Sequence, residues 1–329
     1  MNKALITGVW GQDGSYLAEL LFEKGYDVHG VARYPLSEKA SKIKRHLERK
    51  GCKITEHNCN LLSMAEVTEL LAVLKPDKVY HLAADHYSAQ HPVDQKLHQD
   101  SSTFTNNVSP AAHLLEGIRK VCPRTRFVAA GSSLIFESAD MSPQNEATPC
   151  RADSIYGLSK IIIRKMVGYY RKKQRVHASV AILYNHESPR RGDDFFTKKI
   201  VKNLIAVQRG EIEKFSIGNL FDVKDWGYAR EYMHGIWLMS QQAQPADYII
   251  ASGKGHPLQT FLEYTADILH ITDWWKHINM GNQPITRHCA VPLVGDATLA
   301  RVMLQWSPIT GLRQLVRNMV ENELSNNLD

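Results

Sequence analysis

No stretch of this 329-residue chain is apolar for long enough to cross a bilayer, a task that takes about 20 consecutive apolar residues in a helix. No signal or transit peptide is visible either, because the opening Met-Asn-Lys-Ala-Leu-Ile-Thr-Gly enters a strand-like segment at once. Cysteine is scarce. The five present (52, 59, 122, 150 and 289) form no C-x-x-C pair and are odd in number, so reduced thiols and a cytoplasmic location are expected. His81, His86, His91 and His98 crowd together without i, i+4 spacing, and no metal site is expected from them. Net charge is only +6, and the basic runs Lys42 to His46 and Arg171 to Lys173 fall inside helical patterns. They read as solvated helix faces. With no nucleic-acid motif present, neither nucleic acid nor membrane is an expected partner. Repeats and low-complexity tracts are absent. What remains is an ordinary globular composition, 43% hydrophobic and 22% charged, with length for one large or two modest domains.

Lys3 to Thr7 read as a buried strand. Gly8-Val9-Trp10-Gly11-Gln12-Asp13-Gly14 follows, a G-x-x-G-x-x-G turn, and from Ser15 to Lys24 the residues Leu17, Leu20 and Leu21 fall on one side of a helix. Strand, glycine turn and helix in that order are the setting of a dinucleotide-binding fingerprint. The glycines let backbone approach a pyrophosphate, and the helix N-terminus offers it N–H groups and positive partial charge. Gly8, Gly11, Gln12, Asp13 and Gly14 are therefore candidate cofactor contacts. The second strand, Asp27 to Arg33, ends in a cation, where a fold specific for NAD usually ends in an acid against the ribose 2′-hydroxyl. Arg33 suits a 2′-phosphate, which makes NADP the expected cofactor and NAD the alternative; a merely exposed Arg33 is the other reading. Tyr34 is placed to stack on the adenine edge.

Further strands are expected at 53–57, 78–83, 126–130 and 178–183, and helices at 64–74, 114–121 and around Tyr156. This alternation predicts an α/β fold with a doubly wound parallel sheet of the Rossmann type. Ligands collect at the C-terminal ends of such strands. Three segments leave those ends together: the glycine turn, Ala83-Ala84-Asp85-His86, and Gly131-Ser132-Ser133. A serine there either faces a substrate or caps a turn.

In Ser154-Ile155-Tyr156-Gly157-Leu158-Ser159-Lys160, Tyr156 and Lys160 share one helix face. A nearby ammonium favours phenolate, and such a phenol suits taking the proton of an alcohol while a hydride leaves its carbon. Ordinary helix surfaces carry the same spacing, so the glycine turn is what gives the pair weight.

At this point the chain resembles the extended short-chain dehydrogenase/reductase (NAD-dependent epimerase/dehydratase) group and, within it, the GDP-mannose 4,6-dehydratase family. The likeness covers almost the whole chain. It rests on ALITGVWGQDGSYLAELLFEKGYDVHG near the start, LYNHESPRRGDDFFTKKI at 183–200, IGNLFDVKDWGYAREYM at 217–233 and PLVGDATLARVMLQW at 292–306. The resemblance implies an NADP-binding domain and a smaller domain holding a GDP-sugar. Carried over by position, Asn60 and Leu61 fall near the adenine and Ala83 and Ala84 along the cofactor. Asn185, Glu187, Arg190, Arg191 and Lys199 fall near the nucleotide and its diphosphate, joined by Lys224 and Arg287, with Asp85 and Ser132 by the substrate. Guanidinium forks and lysine charges suit phosphate; salt bridging at a domain junction is the alternative for the two adjacent arginines.

The family mechanism, as the resemblance implies it, has three parts. A Tyr helped by a Lys and a Ser or Thr takes the C4 hydroxyl proton as hydride passes from C4 to NADP. A glutamate then takes the C5 proton and assists loss of the C6 hydroxyl, and hydride returns to C6. Tyr156, Lys160 and Ser132 occupy the first set of positions. The glutamate belongs to a run S-T-S-E-L-Y-G, where this chain reads Gly131-Ser132-Ser133-Leu134-Ile135-Phe136-Glu137. Leu134 cannot move a proton. Other departures are Asn60 for an Asp, Tyr34 for a second Arg, Lys224 for an Arg, a missing serine-rich loop after Arg33 and a shorter C-terminal domain.

Three functions stand open. An oxidoreductase at C4 of a GDP-linked sugar (4-keto reductase, 4-dehydrogenase or epimerase) needs only the hydride-transfer set. A 4,6-dehydratase needs a relocated base, for which Asp85, His86 and Glu137 are nearest in sequence. A non-catalytic nucleotide-sugar-binding subunit would keep the fold, but the intact Tyr156 and Lys160 argue against it. The Rossmann domain is expected over 1–185 plus about 226–252, and a discontinuous α/β nucleotide-sugar domain over about 186–225 plus 253–329. Leu312, Leu315, Val316, Met319 and Val320 form a core stripe on a C-terminal helix. Family members pair through two long helices, one carrying the Tyr–Lys pair, so a homodimer or homotetramer is expected.

Overall fold

Strand β1 (Lys3–Thr7) buries four of its five residues, as a central strand covered on both faces must. It pairs on one side with β2 (Asp27–Val31), which pairs with β3 (Thr55–His57). On the other side lie β4 (Lys78–His81), β5 (Arg126–Ala130) and β6 (Ala178–Leu183). A seventh strand, β10 (Tyr248–Ile250), completes the sheet beside β6. All pairings are parallel, and the order 10-6-5-4-1-2-3 reverses at β1, the mark of a doubly wound fold. This computed structural model describes residues 1–85, 93–280, 291–325 and 328. His86, His91, Arg287 and Cys289 lie outside the described residues, as does the side chain of His98.

The strands are shorter than their sequence pattern. β2 stops at Val31, leaving Arg33 in the loop beyond, and β4 stops at His81 because the Ala83 N–H turns from the ladder to Thr7 Oγ1 at 3.2 Å. That bond helps seat the glycine turn on the loop after β4. Gly8 has φ +73°, and a Cβ on it would stand 2.9 Å from the Ala83 backbone. A Cβ on Gly14 would stand 2.2 Å from the Gly8 oxygen, so no other residue fits this backbone-on-backbone contact. Helix α1 (Gln12–Glu23) begins at Gly11 with no side-chain cap, leaving its first N–H groups for another acceptor.

Helices α4 (Val93–Val121) and α5 (Ile155–Lys173) pack side by side, and Arg171 to Lys173 close the last turn of α5, where cations complement the helix dipole. Two hydrophobic cores result. One spans the sheet and includes Met233 and Ile236 of α7 (Ala229–Met239). The other is built from α6 (Phe196–Gln208), α8 (Leu258–Ile268) and α10 (Leu312–Ser325), which buries the predicted stripe. The expected division placed all of 253–329 with the second core. Leu293, Ala297, Ala300, Leu304 and Trp306 instead pack into the first. Helix α9 (Thr298–Leu304) lies against β10 and α7, and Trp306 Nε1 donates to the Glu231 carbonyl at 2.9 Å. Seven residues are too few for periodicity to show which core such a helix serves.

No helix among the described residues is long and apolar enough to cross a membrane, and none of their His, Cys, Asp and Glu side chains cluster to hold a metal. Met319 has no exposed surface. Met319→Ala is expected to cost about 2–5 kcal/mol, read as a lower urea midpoint at unchanged slope.

Candidate active site

The strand ends and the segments from 183 to 226 enclose a cavity of about 660 Å³, within the range of small-molecule sites. Asp13, Ala84, Ser132, Leu134, Tyr156 and Lys160 line its sheet side. Asn185, Glu187, Arg191, Lys199 and Lys224 line the other. Gly8, Gly11, Gln12, Gly14, Arg33, Asn60, Leu61 and Ala83 lie outside the cavity lining, along the loops that flank it, and Asp85 and Arg190 are outside it too.

The position of Tyr156 is set by how α5 begins. Ser154 caps the helix by accepting from Gly157 N at 3.0 Å. A Cβ on Gly157 would stand 2.7 Å from the Leu134 carbonyl, so glycine there lets the first turn of α5 sit on the 3₁₀ turn at Ser133–Phe136. Tyr156 and the Ser132–Leu134 segment thereby line one wall. Lys160 is buried, donates from Nζ to the Ala130 carbonyl at 2.9 Å and lies 5.4 Å from the Tyr156 ring centre. Burial lowers its ammonium to about 8. Ser132 Oγ caps the turn by accepting from Leu134 N at 3.2 Å, and the residue lines the cavity.

Glu137, the acid nearest Leu134 in sequence, does not reach the cavity. Its buried carboxylate accepts from Asp153 N and Ser154 N, both at 2.9 Å, and from Ser154 Oγ at 2.8 Å, and it is absent from the cavity lining. Peptide N–H groups at a helix start draw a negative charge to themselves, so this acid holds the helix that carries Tyr156. Asp85 also faces away: its carboxylate accepts from Asn106 Nδ2 at 2.9 Å. The sequence offered no signal for Asn107, a lone polar residue in a long helix. Buried, it joins the Asp85 backbone to Ser159 Oγ and so ties the loop after β4 to α5.

Adjacent arginines part company. Arg190 has no exposed surface; it pairs with Glu19 at 2.8 Å, donates to the Leu328 carbonyl at 2.9 Å and lies 3.9 Å over the Tyr16 ring. Its expected place at the diphosphate is corrected to a salt bridge across the junction. Arg191 lines the cavity, 3.1 Å from the Glu187 carboxylate and 3.5 Å over the Phe195 ring. Gln12 and Asp13 reach the same segment. Gln12 donates to the His186 carbonyl at 3.0 Å and accepts from Ser188 Oγ at 2.8 Å, while Asp13 pairs with His186 Nε2 at 3.0 Å. Burial alone would raise the Asp13 carboxyl, but His186, Gln12 and Arg191 outweigh it and hold it at about 2. Desolvation pulls the partly buried His186 down, but its ion pair and bond with Asp13 outweigh it and draw it upward. Nothing in the spacing of the sequence singled out His186.

The glycine turn, closed to any Cβ, and the uncapped start of α1 fit a dinucleotide pyrophosphate. Arg33 is exposed beyond β2. Tyr34 bonds through its hydroxyl to Glu56, which also holds Lys44 and accepts from Trp10 Nε1 at 3.0 Å. Asn60 Oδ1 accepts from Leu62 N at 3.0 Å, and the Leu61 carbonyl meets His113 Nδ1 at 2.9 Å.

Sheet order, glycine turn and a Tyr–Lys pair at the strand ends define a class, the extended short-chain dehydrogenases/reductases. A family model described as GDP-mannose 4,6 dehydratase matches residues 5–319, and the chain belongs to that family of nucleotide-sugar enzymes. The GDP-mannose 4,6-dehydratase of Sinorhizobium fredii (strain HH103) is 36% identical over 343 residues, covering 98% of this chain and 96% of its own. Among solved structures, dTDP-glucose 4,6-dehydratase from Bacillus anthracis str. Ames in complex with NAD superposes with TM-score 0.83 at 16% identity, covering 99% of this chain and 97% of that one. RMD from Pseudomonas aeruginosa complexed with NADPH gives 0.78 at 18%, covering 99% and 100%. At such identities the two structures speak for the fold.

Arg190→Ala is expected to destabilise the protein by about 3 kcal/mol, because it strips a buried pair of one partner, with little change in GDP affinity by calorimetry. Arg191→Ala is expected to weaken GDP binding by calorimetry. Glu137→Ala is expected to lower kcat more than KM by loosening the start of α5, while Glu137→Gln, whose amide oxygen still accepts from the backbone, retains most of the rate. A general base at 137 would make the two variants equally inactive.

Proposed function

We propose that the chain is a nicotinamide-dependent oxidoreductase acting at C4 of a GDP-linked sugar, as a 4-keto reductase, 4-dehydrogenase or epimerase, without removing water. One observation carries this reading. Tyr156, Lys160 and Ser132 share a cavity wall with Leu134, and the nearest acid in sequence, Glu137, is engaged by helix backbone. NADP is the favoured cofactor, on the strength of Arg33, with NAD the alternative; when bound it supplies the acceptor or donor of hydride.

Asn185, Arg191, Lys199 and Lys224 hold the nucleotide diphosphate, two cation types matched to phosphate. The Tyr156 phenol moves a proton to or from the oxygen on C4. Lys160 sets the charge beside that phenol, and Ser132 hydrogen-bonds the same oxygen. Leu134 offers the neighbouring carbon no proton acceptor. A positioned general base is worth about 10²–10⁴ in rate, which is the handicap dehydration would face here. Exposed Leu158, Ile162 and Tyr169 on α5 and Phe104 on α4 support pairing of two copies through these helices.

Incubation with GDP-mannose or its 4-keto derivative and either cofactor, followed by mass spectrometry of the sugar, tests the reading. A change of two hydrogens is expected from a reductase or dehydrogenase, and an unchanged mass with inverted C4 configuration from an epimerase. Stoichiometric loss of one water would sink it, and Leu134→Glu is expected to gain some of that water-loss product. The pH dependence follows from Lys160. Its ammonium is charged below about 8 and is lost as pH rises through that value, so kcat/KM is expected to fall on the alkaline side with a midpoint near there. Lys160→Met should be slow at every pH and lack that limb.

A further inference from the structure

Lys39 stands in the first turn of α2 (Glu38–Arg49), where Ser37 Oγ caps the helix by accepting from Ala40 N at 3.2 Å. The side chain reaches across to the loop after Glu187. A Cβ on Gly192 would lie 3.5 Å from Lys39 Nζ, an ordinary contact distance, which places the half-buried ammonium against this loop. The preceding residue, Arg191, lines the cavity. Two cations from separate elements thus converge on one short loop. Burial first, and Arg191 second, lower Lys39 to about 8.

Three nearby acids already have cationic partners. Asp193 pairs with Lys202 at 3.0 Å, Asp13 with His186 at 3.0 Å and Glu187 with Arg191 at 3.1 Å. The other cation of the group, Lys198, is held by Glu323 at 2.6 Å and the Pro189 carbonyl at 3.1 Å. Among the described residues, Lys39 has no carboxylate within salt-bridge reach. Asp193 and Asp13 act favourably on Lys39 from beyond contact, but burial and the neighbouring guanidinium outweigh them, so a further anion would stabilise the lysine.

We propose that Lys39 and Arg191 form a phosphate clamp for a bound nucleotide. Asp13, in the first turn of α1, lies close enough to act on Lys39 electrostatically, which sets the clamp beside the glycine turn. The clamp rests on the oxidoreductase reading only for the nicotinamide nucleotides; a GDP diphosphate has the same chemistry.

Calorimetric binding of NADPH, NADH and GDP to wild type, Lys39→Met and Lys39→Arg separates the sources without turnover. Lys39→Met is expected to weaken at least one ligand about tenfold or more, the loss of a charge-assisted contact, while Lys39→Arg stays near wild type. The ligand-free melting temperature of Lys39→Met should not drop, since removing the charge relieves repulsion. A loss for NADPH alone assigns the clamp to the 2′-phosphate, a loss for both nicotinamide nucleotides to the pyrophosphate, and a loss for GDP to the substrate. Unchanged affinity for all three in folded Lys39→Met overturns the clamp. A wild-type protein that binds neither nicotinamide nucleotide contradicts the oxidoreductase reading, and the GDP arm then decides the clamp alone.

Discussion

The cavity exists because the start of α1 is fastened to residues 186–190. Gln12 and Asp13 hold His186 and Ser188, and about two turns later Glu19 holds Arg190. These contacts cross from the sheet to the segment that leads into the second core. A buried ion pair adds little net stability over a well-packed apolar pair. Its effect here is one of register, since a single placement of 186–190 satisfies Gln12, Asp13 and Glu19 at once. With that placement fixed, Asn185 and Arg191 come to face the strand ends, where Tyr156 waits.

The opposite wall depends on close packing rather than charge. Gly157 brings the first turn of α5 down on the Leu134 carbonyl, and Glu137 holds that turn from below through two peptide N–H groups. The family run quoted above has a glycine where this chain has Glu137 and an acid where it has Leu134. In this chain the carboxylate bonds to the start of the helix, and a leucine lines the cavity at 134. Under the proposed function, that exchange keeps the Tyr–Lys centre and removes the group that dehydration would use.

Much of this was legible in the sequence. The strands of the parallel sheet, the glycine turn and the Tyr156–Lys160 pair follow from local patterns, because a buried strand, a backbone contact without room for Cβ and a helical repeat each constrain residue type directly. What was not legible depends on which way a side chain turns. Arg190 and Arg191 look alike in sequence, yet neighbours in an irregular segment point apart, one into Glu19 and the other into the cavity. Glu137 was a candidate base because it is near Leu134 along the chain; only the return of 153–154 beside it shows its partners. Asn107 and His186 gain meaning from residues 22 or more positions away, and α9 from a core that its seven residues do not announce.

The central claim is a redox centre at C4 that does not eliminate water. A GDP-sugar carrying deuterium at C4 tests it most directly, with the label located after reaction by wild type and by Tyr156→Phe. Deuterium found on the nicotinamide ring or returned to C4, and lost from neither by the slowed Tyr156→Phe protein, is the expected result. Deuterium transferred to C6, with the C6 oxygen gone, would contradict it.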